Sequence, residues 1–243
     1  MNDSEARVII LAGGQGTRIR SLYPDLPKPL IPVNGRPFIE WIIFYLKLQG
    51  FLDFTISLGH LAGIAESYFR QRPQDGLSIK TVREEAPLGT AGAVRFVYQQ
   101  CSGGESLVVV NGDSLAMVDF ERAWSLFDRA EVDGVIFGLP TSDAARFGTL
   151  ALNADNSLKS FREKSSGTGI VNAGIYLFKK RILELFPEHV PLSLEENVFP
   201  ALLMAGARFE VCVCDVQLLD IGTPESLSQA ENFIKKYMPE AEQ

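Results

Sequence analysis

The run from Arg7 to Gly13 (RVIILAG) constrains the fold more than any other stretch. Five consecutive apolar side chains, Val8 to Ala12, end without transition in the glycine cluster GGQGTR. Such a run reads as a short buried strand of a sheet. Glycine loses more backbone freedom on folding than any other residue, so Gly13, Gly14 and Gly16 within four positions ask for a reason. At the carboxyl end of a strand the reason is room, because open α/β sheets bind ligands there. Bare backbone N–H groups in a tight concavity favour anions, phosphates above all. GGQGTR spells neither G-x-G-x-x-G nor G-x-x-x-x-G-K-[ST], which disfavours a dinucleotide fingerprint and a Walker loop. A purely structural turn would also account for the glycines.

Basic side chains follow at once. Arg18 and Arg20 leave the turn, and Lys28 stands between two prolines in LPKPLIP. Proline fixes its own φ and biases the preceding residue toward extended conformations. Pro27 and Pro29 are therefore expected to hold Lys28 in a stiff, extended segment. A lysine that must meet one phosphate oxygen benefits from such a mount, since charge held in place in advance costs less to reorganise during reaction. A surface lysine on a rigid loop is the alternative.

Strand-like runs recur along the chain: DFTISLG, LSIKTVRE, SLVVVNGD, VDGVIFGL, GTLALN, LKSFREK, GIYLF and FEVCVCDV. Helical periodicity with start and stop signals separates several of them, at Pro37–Gln49, His60–Gln71, Thr90–Gln100 and Phe120–Arg129. Strands alternating with helices imply βαβ units and a mostly parallel sheet. From Val132 to Phe178 four strand-like runs follow one another, which points to antiparallel strands added to the parallel sheet. Helices are expected again at Arg181–Phe186, Glu195–Ala205 and Pro224–Tyr237. With no internal repeat and no low-complexity linker, the 243 residues read as one compact domain over 1–243.

The net charge of −7 argues against broad nucleic-acid binding. No apolar run reaches the length of a membrane span and no signal-peptide pattern is present, so a cytoplasmic protein without membrane partners is expected. Cys101, Cys212 and Cys214 make no disulfide framework; the last two, side by side on one strand face, read as small buried apolar residues.

The segment LAGGQGTRIRSLYPDLPKPLIPVNGRPFIEW resembles the signature of the sugar-1-phosphate nucleotidyltransferase family, roughly LAGGxGTRL, a spacer, then PKPLxPVxxKP. Further segments match in order: EEAPLGTAGAV, VVVNGDSL, FREK with VNAGIYLF, and LLDIGTPESL. The likeness spans the chain from Val8 to about Ile234. It implies a Rossmann-like, glycosyltransferase-A-like mixed sheet. A nucleotide-binding half would cover 1–130 and a sugar-phosphate-binding half 131–243.

The likeness also implies roles. Leu11, Ala12, Gly13, Gly14, Gly16 and Thr17 would form the nucleotide loop, with Glu84, Gly89 and Thr90 near the base. Arg18 and Lys28 would be catalytic, Arg18 at the leaving pyrophosphate and Lys28 at the α-phosphate. Asp113 and Asp220 would hold Mg²⁺ together; alone, each also suits a turn or a helix entry. Magnesium takes one or two carboxylates beside substrate phosphates and water. Glu163 would meet sugar hydroxyls and Lys164 the sugar phosphate, with Asn172 and Gly174 on the neighbouring strand. His60 and His189 match no nucleophile motif.

The partners so implied are a nucleoside triphosphate and a sugar 1-phosphate; the oligomeric state stays open, a homo-oligomer included. The short spacer and PDLPKPLIPVNGRPF look most like bacterial enzymes acting on D-glycero-D-manno-heptose 1-phosphate with GTP. Enzymes using N-acetylmuramate 1-phosphate with UTP, or mannose 1-phosphate with GTP, are near alternatives. Leu219 departs from the family's usual tryptophan. A non-catalytic nucleotide-sugar-binding subunit is the rival of another class. The residues alone do not choose guanine over uracil.

Overall fold

The computed structural model describes residues 6–73, 75–101, 104–144, 148–162 and 167–238. The chain opens with β1 (Arg7–Ala12), a single 3-10 turn at Lys28–Leu30, and the short strands β2 (Pro32–Val33) and β3 (Arg36–Pro37). Next come α1 (Phe38–Leu48), β4 (Asp53–Leu58), α2 (Ala62–Gln71), β5 (Ser78–Arg83), α3 (Thr90–Gln100) and β6 (Ser106–Asn111). The middle holds β7 (Ser114–Ala116), α4 (Phe120–Phe127), β8 (Gly134–Thr141), β9 (Thr149–Leu152), β10 (Leu158–Arg162) and β11 (Gly169–Lys179). The last part contributes α5 (Lys180–Leu183), a π-type turn at Leu194–Val198, α6 (Phe199–Met204), β12 (Phe209–Val213), β13 (Leu218–Asp220) and α7 (Pro224–Tyr237).

One large sheet organises these elements, in the order β10-β9-β11-β6-β1-β4-β5, with β8 on β11 and β12 on β8. β1 pairs in parallel with β4 on one side and β6 on the other, and β4 pairs in parallel with β5. The chain thus moves outward from β1 through β4 to β5, then crosses back to place β6 on the far side of β1. That reversal opens a crevice beyond the carboxyl ends of β1 and β6. The added strands are antiparallel as expected: β11 against both β6 and β8, and β10 against β9.

Period-two alternation sorts β1 between two cores. Val8 and Ile10 face α1 and the residues of α4 and α7; Ile9 faces α3 and α6. Trp41, Phe38 and Phe54 are fully enclosed on the first side, and Tyr176, Phe178 and Phe199 on the second. Cys212 and Cys214 lie in the first core with their sulfurs 3.9 Å apart, as small apolar residues. No helix among the described residues is long and apolar enough to cross a membrane.

Two local expectations need correction. Lys28 does not sit in an extended segment but starts a 3-10 turn, closed by Leu30 N–H donating to Pro27 O (2.8 Å) and Ile31 N–H donating to Lys28 O (3.1 Å). Burial of Pro29 and Leu30 pulls the segment inward and overrides the extended bias before proline. The helix expected from Glu195 to Ala205 is broken into a π-type turn and α6. Pro200 has no N–H to continue the ladder, and Val198 N–H bonds five residues back to Ser193 O (3.1 Å).

Candidate active site

β1, β4, β5 and β6 all end at the same crevice, a cleft of about 500 Å³. Leu11, Ala12, Gly13, Gly14, Lys28, Glu84, Gly89, Thr90 and Asp113 line it, together with His60, Asn111 and Gly112. A β-carbon on Gly13 would collide with the Glu84 carboxylate where it stands, and one on Gly59 would meet the Gly13 carbonyl oxygen just as closely. Gly16 adopts φ +57°, and a β-carbon on it would stand 3.3 Å from Lys28 Cβ. The glycines therefore give up side chains to Glu84 on one side and Lys28 on the other. Thr17 is exposed and does not line the cleft.

The Lys28 side chain is 9 % exposed, its ammonium 2.7 Å from Asp113 Oδ2 and 3.7 Å from Asp220 Oδ1. The two acidic segments are tied together by Ile221 N–H donating to Asp113 O (3.0 Å) and by the pairing of Asp220 with Ser114. Asp220 Oδ1 also accepts from Gly222 N–H at 2.7 Å. Arg18, otherwise exposed, brings its Nη2 to the same spot. A β-carbon on Gly222 would lie 2.8 Å from Asp220 Oδ1, 3.1 Å from Arg18 Nη2 and 3.1 Å from Lys28 Nζ. Arg18, Lys28 and Asp220 thus meet around one glycine, and Asp113 joins them through its ion pair with Lys28.

The acid pair fits magnesium. Two carboxylates already gather around a cation, the Lys28 ammonium, and the cleft lies beside them. Among the described residues no group of three or more His, Cys, Asp or Glu forms a cage. A hard cation that draws its remaining ligands from phosphates and water needs none.

Glu84 lines the same cleft. Ser57 Oγ donates to its Oε1 at 2.8 Å and Leu88 N–H reaches its Oε2 at 3.4 Å. Burial pushes its carboxyl above the usual range, partly offset by these two donors. Gly89 precedes α3 at φ +75°, where a β-carbon would strike the Leu192 backbone at 2.5–2.8 Å. Both the dihedral and the clash require glycine, so Gly89→Ala is expected to destabilise the protein by about 1–3 kcal/mol. Thermal melting checks this as a drop of several degrees, roughly 2–4 °C per kcal/mol for a chain of this size. An unchanged midpoint would show that the loop relaxes freely.

The Thr90 hydroxyl accepts from Leu194 N–H (2.9 Å) and lies 3.4 Å from Glu195 Oε2. Asn172 and Gly174 sit on β11 and do not themselves line the cleft; Gly174, at φ +71°, lies against Asn111 of the cleft, which fills the place of its side chain. Glu163 and Lys164 lie outside the described residues. His189 is exposed and lines no part of the cleft.

Sequence reasoning passed over Ser57, Gly222, Tyr176 and Glu195. Gly222 alone had a local signal, a glycine directly between an acid-ended strand and a capped helix. The others are revealed only by residues distant in sequence.

A family model described as nucleotidyl transferase matches residues 7–237. D-glycero-alpha-D-manno-heptose 1-phosphate guanylyltransferase of Aneurinibacillus thermoaerophilus is 31% identical over 231 residues, 95% of this chain and 99% of that one. The Campylobacter jejuni protein of the same name is 32% identical over 221 residues, 90% of this chain and 96% of that one. Among solved structures, HddC from Yersinia pseudotuberculosis complexed with GMP-PN aligns with TM-score 0.81 and 31% identity, covering 95% of this chain and all of that one (100%).

Proposed function

The chain belongs to the nucleotidyl transferase family, and on that premise we propose that it is a guanylyltransferase joining GTP to D-glycero-D-manno-heptose 1-phosphate, with release of pyrophosphate. The observation that carries the reading is the convergence of Lys28, Arg18, Asp113 and Asp220 beside a nucleotide-sized cleft. The heptose choice rests on the two relatives that this chain matches over nearly their full length.

In the proposed reaction a phosphate oxygen of the sugar 1-phosphate attacks the α-phosphorus of GTP. The new P–O bond forms as the bond to the β-phosphate oxygen breaks, and pyrophosphate departs. The attacking phosphate is already ionised near neutral pH, so no general base is needed. Transfer of this kind depends on positioning and charge neutralisation. Backbone at Gly13 and Gly14 would approach the phosphates, Lys28 would neutralise the α-phosphate and Arg18 the departing pyrophosphate. Asp113 and Asp220 would hold Mg²⁺, which when bound supplies positive charge to phosphate oxygens. Lys164 would orient the sugar phosphate, and Glu163, Asn172 and Gly174 the sugar.

Glu84 favours guanine over uracil in this reading. Guanine presents adjacent N1–H and 2-amino donors, which suit a carboxylate, whereas uracil presents one N–H flanked by two carbonyls. A matrix of four nucleoside triphosphates against heptose, mannose and N-acetylmuramate 1-phosphates, scored by pyrophosphate release, tests the proposal. Turnover should be greatest with GTP and heptose 1-phosphate; turnover confined to UTP would remove the guanine assignment.

In the same matrix Glu84→Gln should raise KM for GTP about tenfold, the loss of one charge-assisted hydrogen bond. The raised carboxyl pKa fixes the sign with pH. Protonation removes an acceptor oxygen, so KM for GTP should climb as pH falls, starting at a higher pH than an ordinary carboxyl would set. Glu84→Gln should lack that limb; retention of it would clear Glu84 of the role.

A further inference from the structure

The π-type turn before α6 carries a carboxylate with four partners. Glu195 Oε1 accepts from the Tyr176 hydroxyl (2.8 Å) and from Asn172 Nδ2 (3.4 Å). Its Oε2 accepts from Ser193 Oγ (3.0 Å) and from Thr90 Oγ1 (3.4 Å). Asn172 Nδ2 also donates to the Tyr176 oxygen at 2.6 Å.

Tyr176 has no exposed surface, and burial, reinforced by the Glu195 charge, holds its phenol neutral far above the ordinary range. A neutral phenol has one proton, and donating it to Glu195 leaves only acceptor capacity toward Asn172. That dictates which end of the Asn172 amide carries hydrogens. The other end agrees, because Gly174 N–H donates to Asn172 Oδ1 at 3.0 Å. A bulge in β11 between Asn172 and Tyr176, with Gly174 at positive φ, makes this turn of the backbone possible. Both amide hydrogens are then committed within the protein, and the carbonyl oxygen keeps one lone pair.

We infer that Glu195 is a positioning residue for the sugar side of the site: through Tyr176 it locks the Asn172 amide so that only a carbonyl lone pair remains for a substrate hydroxyl. The sugar must therefore donate a proton to Asn172 and cannot accept one from it. This inference rests on the reading that Asn172 meets the sugar. Glu195→Gln keeps the shape but removes the negative charge and leaves one neutral carbonyl oxygen for the Tyr176 hydroxyl and the Asn172 amide, which weakens both bonds and loosens the hold on the amide.

The parent and Glu195→Gln are compared by two measurements. The first is hydrogen exchange of the Asn172 side-chain amide, assigned by its disappearance from the ¹⁵N–¹H spectrum of Asn172→Asp. It should be slow in the parent and at least about tenfold faster in Glu195→Gln. The second is steady-state kinetics with heptose 1-phosphate and GTP. KM for the sugar phosphate should rise about tenfold in Glu195→Gln, while KM for GTP stays within about twofold and the melting midpoint within a few degrees.

A rapidly exchanging amide in the parent overturns the inference, as does an unchanged KM for the sugar phosphate. Parallel rises in both KM values with a lowered midpoint would make Glu195 merely structural and overturn it too. A parent inactive on every sugar phosphate sinks the functional proposal instead. Amide exchange, which needs no turnover, then decides the role of Glu195.

Discussion

Lys28→Ala is expected to lower kcat by about 10²–10³ while the protein stays folded, the usual loss when one preorganised electrostatic contact is removed. The lysine is well placed for that effect. Its stem is buried against Gly16, and its ammonium, 2.7 Å from Asp113 and 3.7 Å from Asp220, stands at the rim of the cleft. Removing it leaves two carboxylates without their shared cation. The Asp113 side chain is 43 % exposed, so water screens much of the resulting repulsion and the stability cost stays small. The same logic predicts a second, activity-independent signature. Added Mg²⁺ should raise the melting midpoint of Lys28→Ala more than that of the parent, because the metal then supplies the missing positive charge. Pyrophosphate release within a few-fold of the parent would rule out the catalytic role, and equal Mg²⁺ stabilisation would rule out the shared-cation picture.

The parts of this site that were legible in the sequence are those written locally. The cap of α7 is an example. Thr223 and Ser226 bond reciprocally and Pro224 opens the helix, so Pro224–Tyr237 could be read to the residue. β1 and β6 were legible because a strand covered on both faces leaves an unbroken apolar run. The strand β7 was not, since three residues carry no periodicity and pairing with β13 creates it. The turn at Lys28 followed burial of Pro29 and Leu30 rather than local proline bias, and nothing adjacent in sequence announces that burial. Glu195 hid for a similar reason. An acid in SLEENVFP looks like the solvent face of a helix, while the partners that give it meaning, Tyr176 and Thr90, lie 19 and 105 residues away.

Gly222→Ala should cost activity out of proportion to its size, on the order of 10²-fold in kcat, because small displacements of catalytic groups cost about that much. The added methyl would arrive within about 3 Å of Asp220 Oδ1, Arg18 Nη2 and Lys28 Nζ, closer than carbon and polar atoms tolerate. All three contacts are the far ends of flexible side chains, so they can swing aside and the fold should survive with a nearly unchanged melting midpoint. What cannot survive is the convergence itself, since the methyl sits where those ends meet. Gly222→Ala thus separates geometry from charge: every ionisable group of the site is retained and only its arrangement changes. The expected pattern is low kcat with normal melting and GTP binding in the absence of Mg²⁺ little altered, because the cleft wall at Glu84 and Gly89, proposed to meet the base, is untouched. Near-parental kcat would mean that the meeting of Arg18, Lys28 and Asp220 around Gly222 is not what the reaction requires.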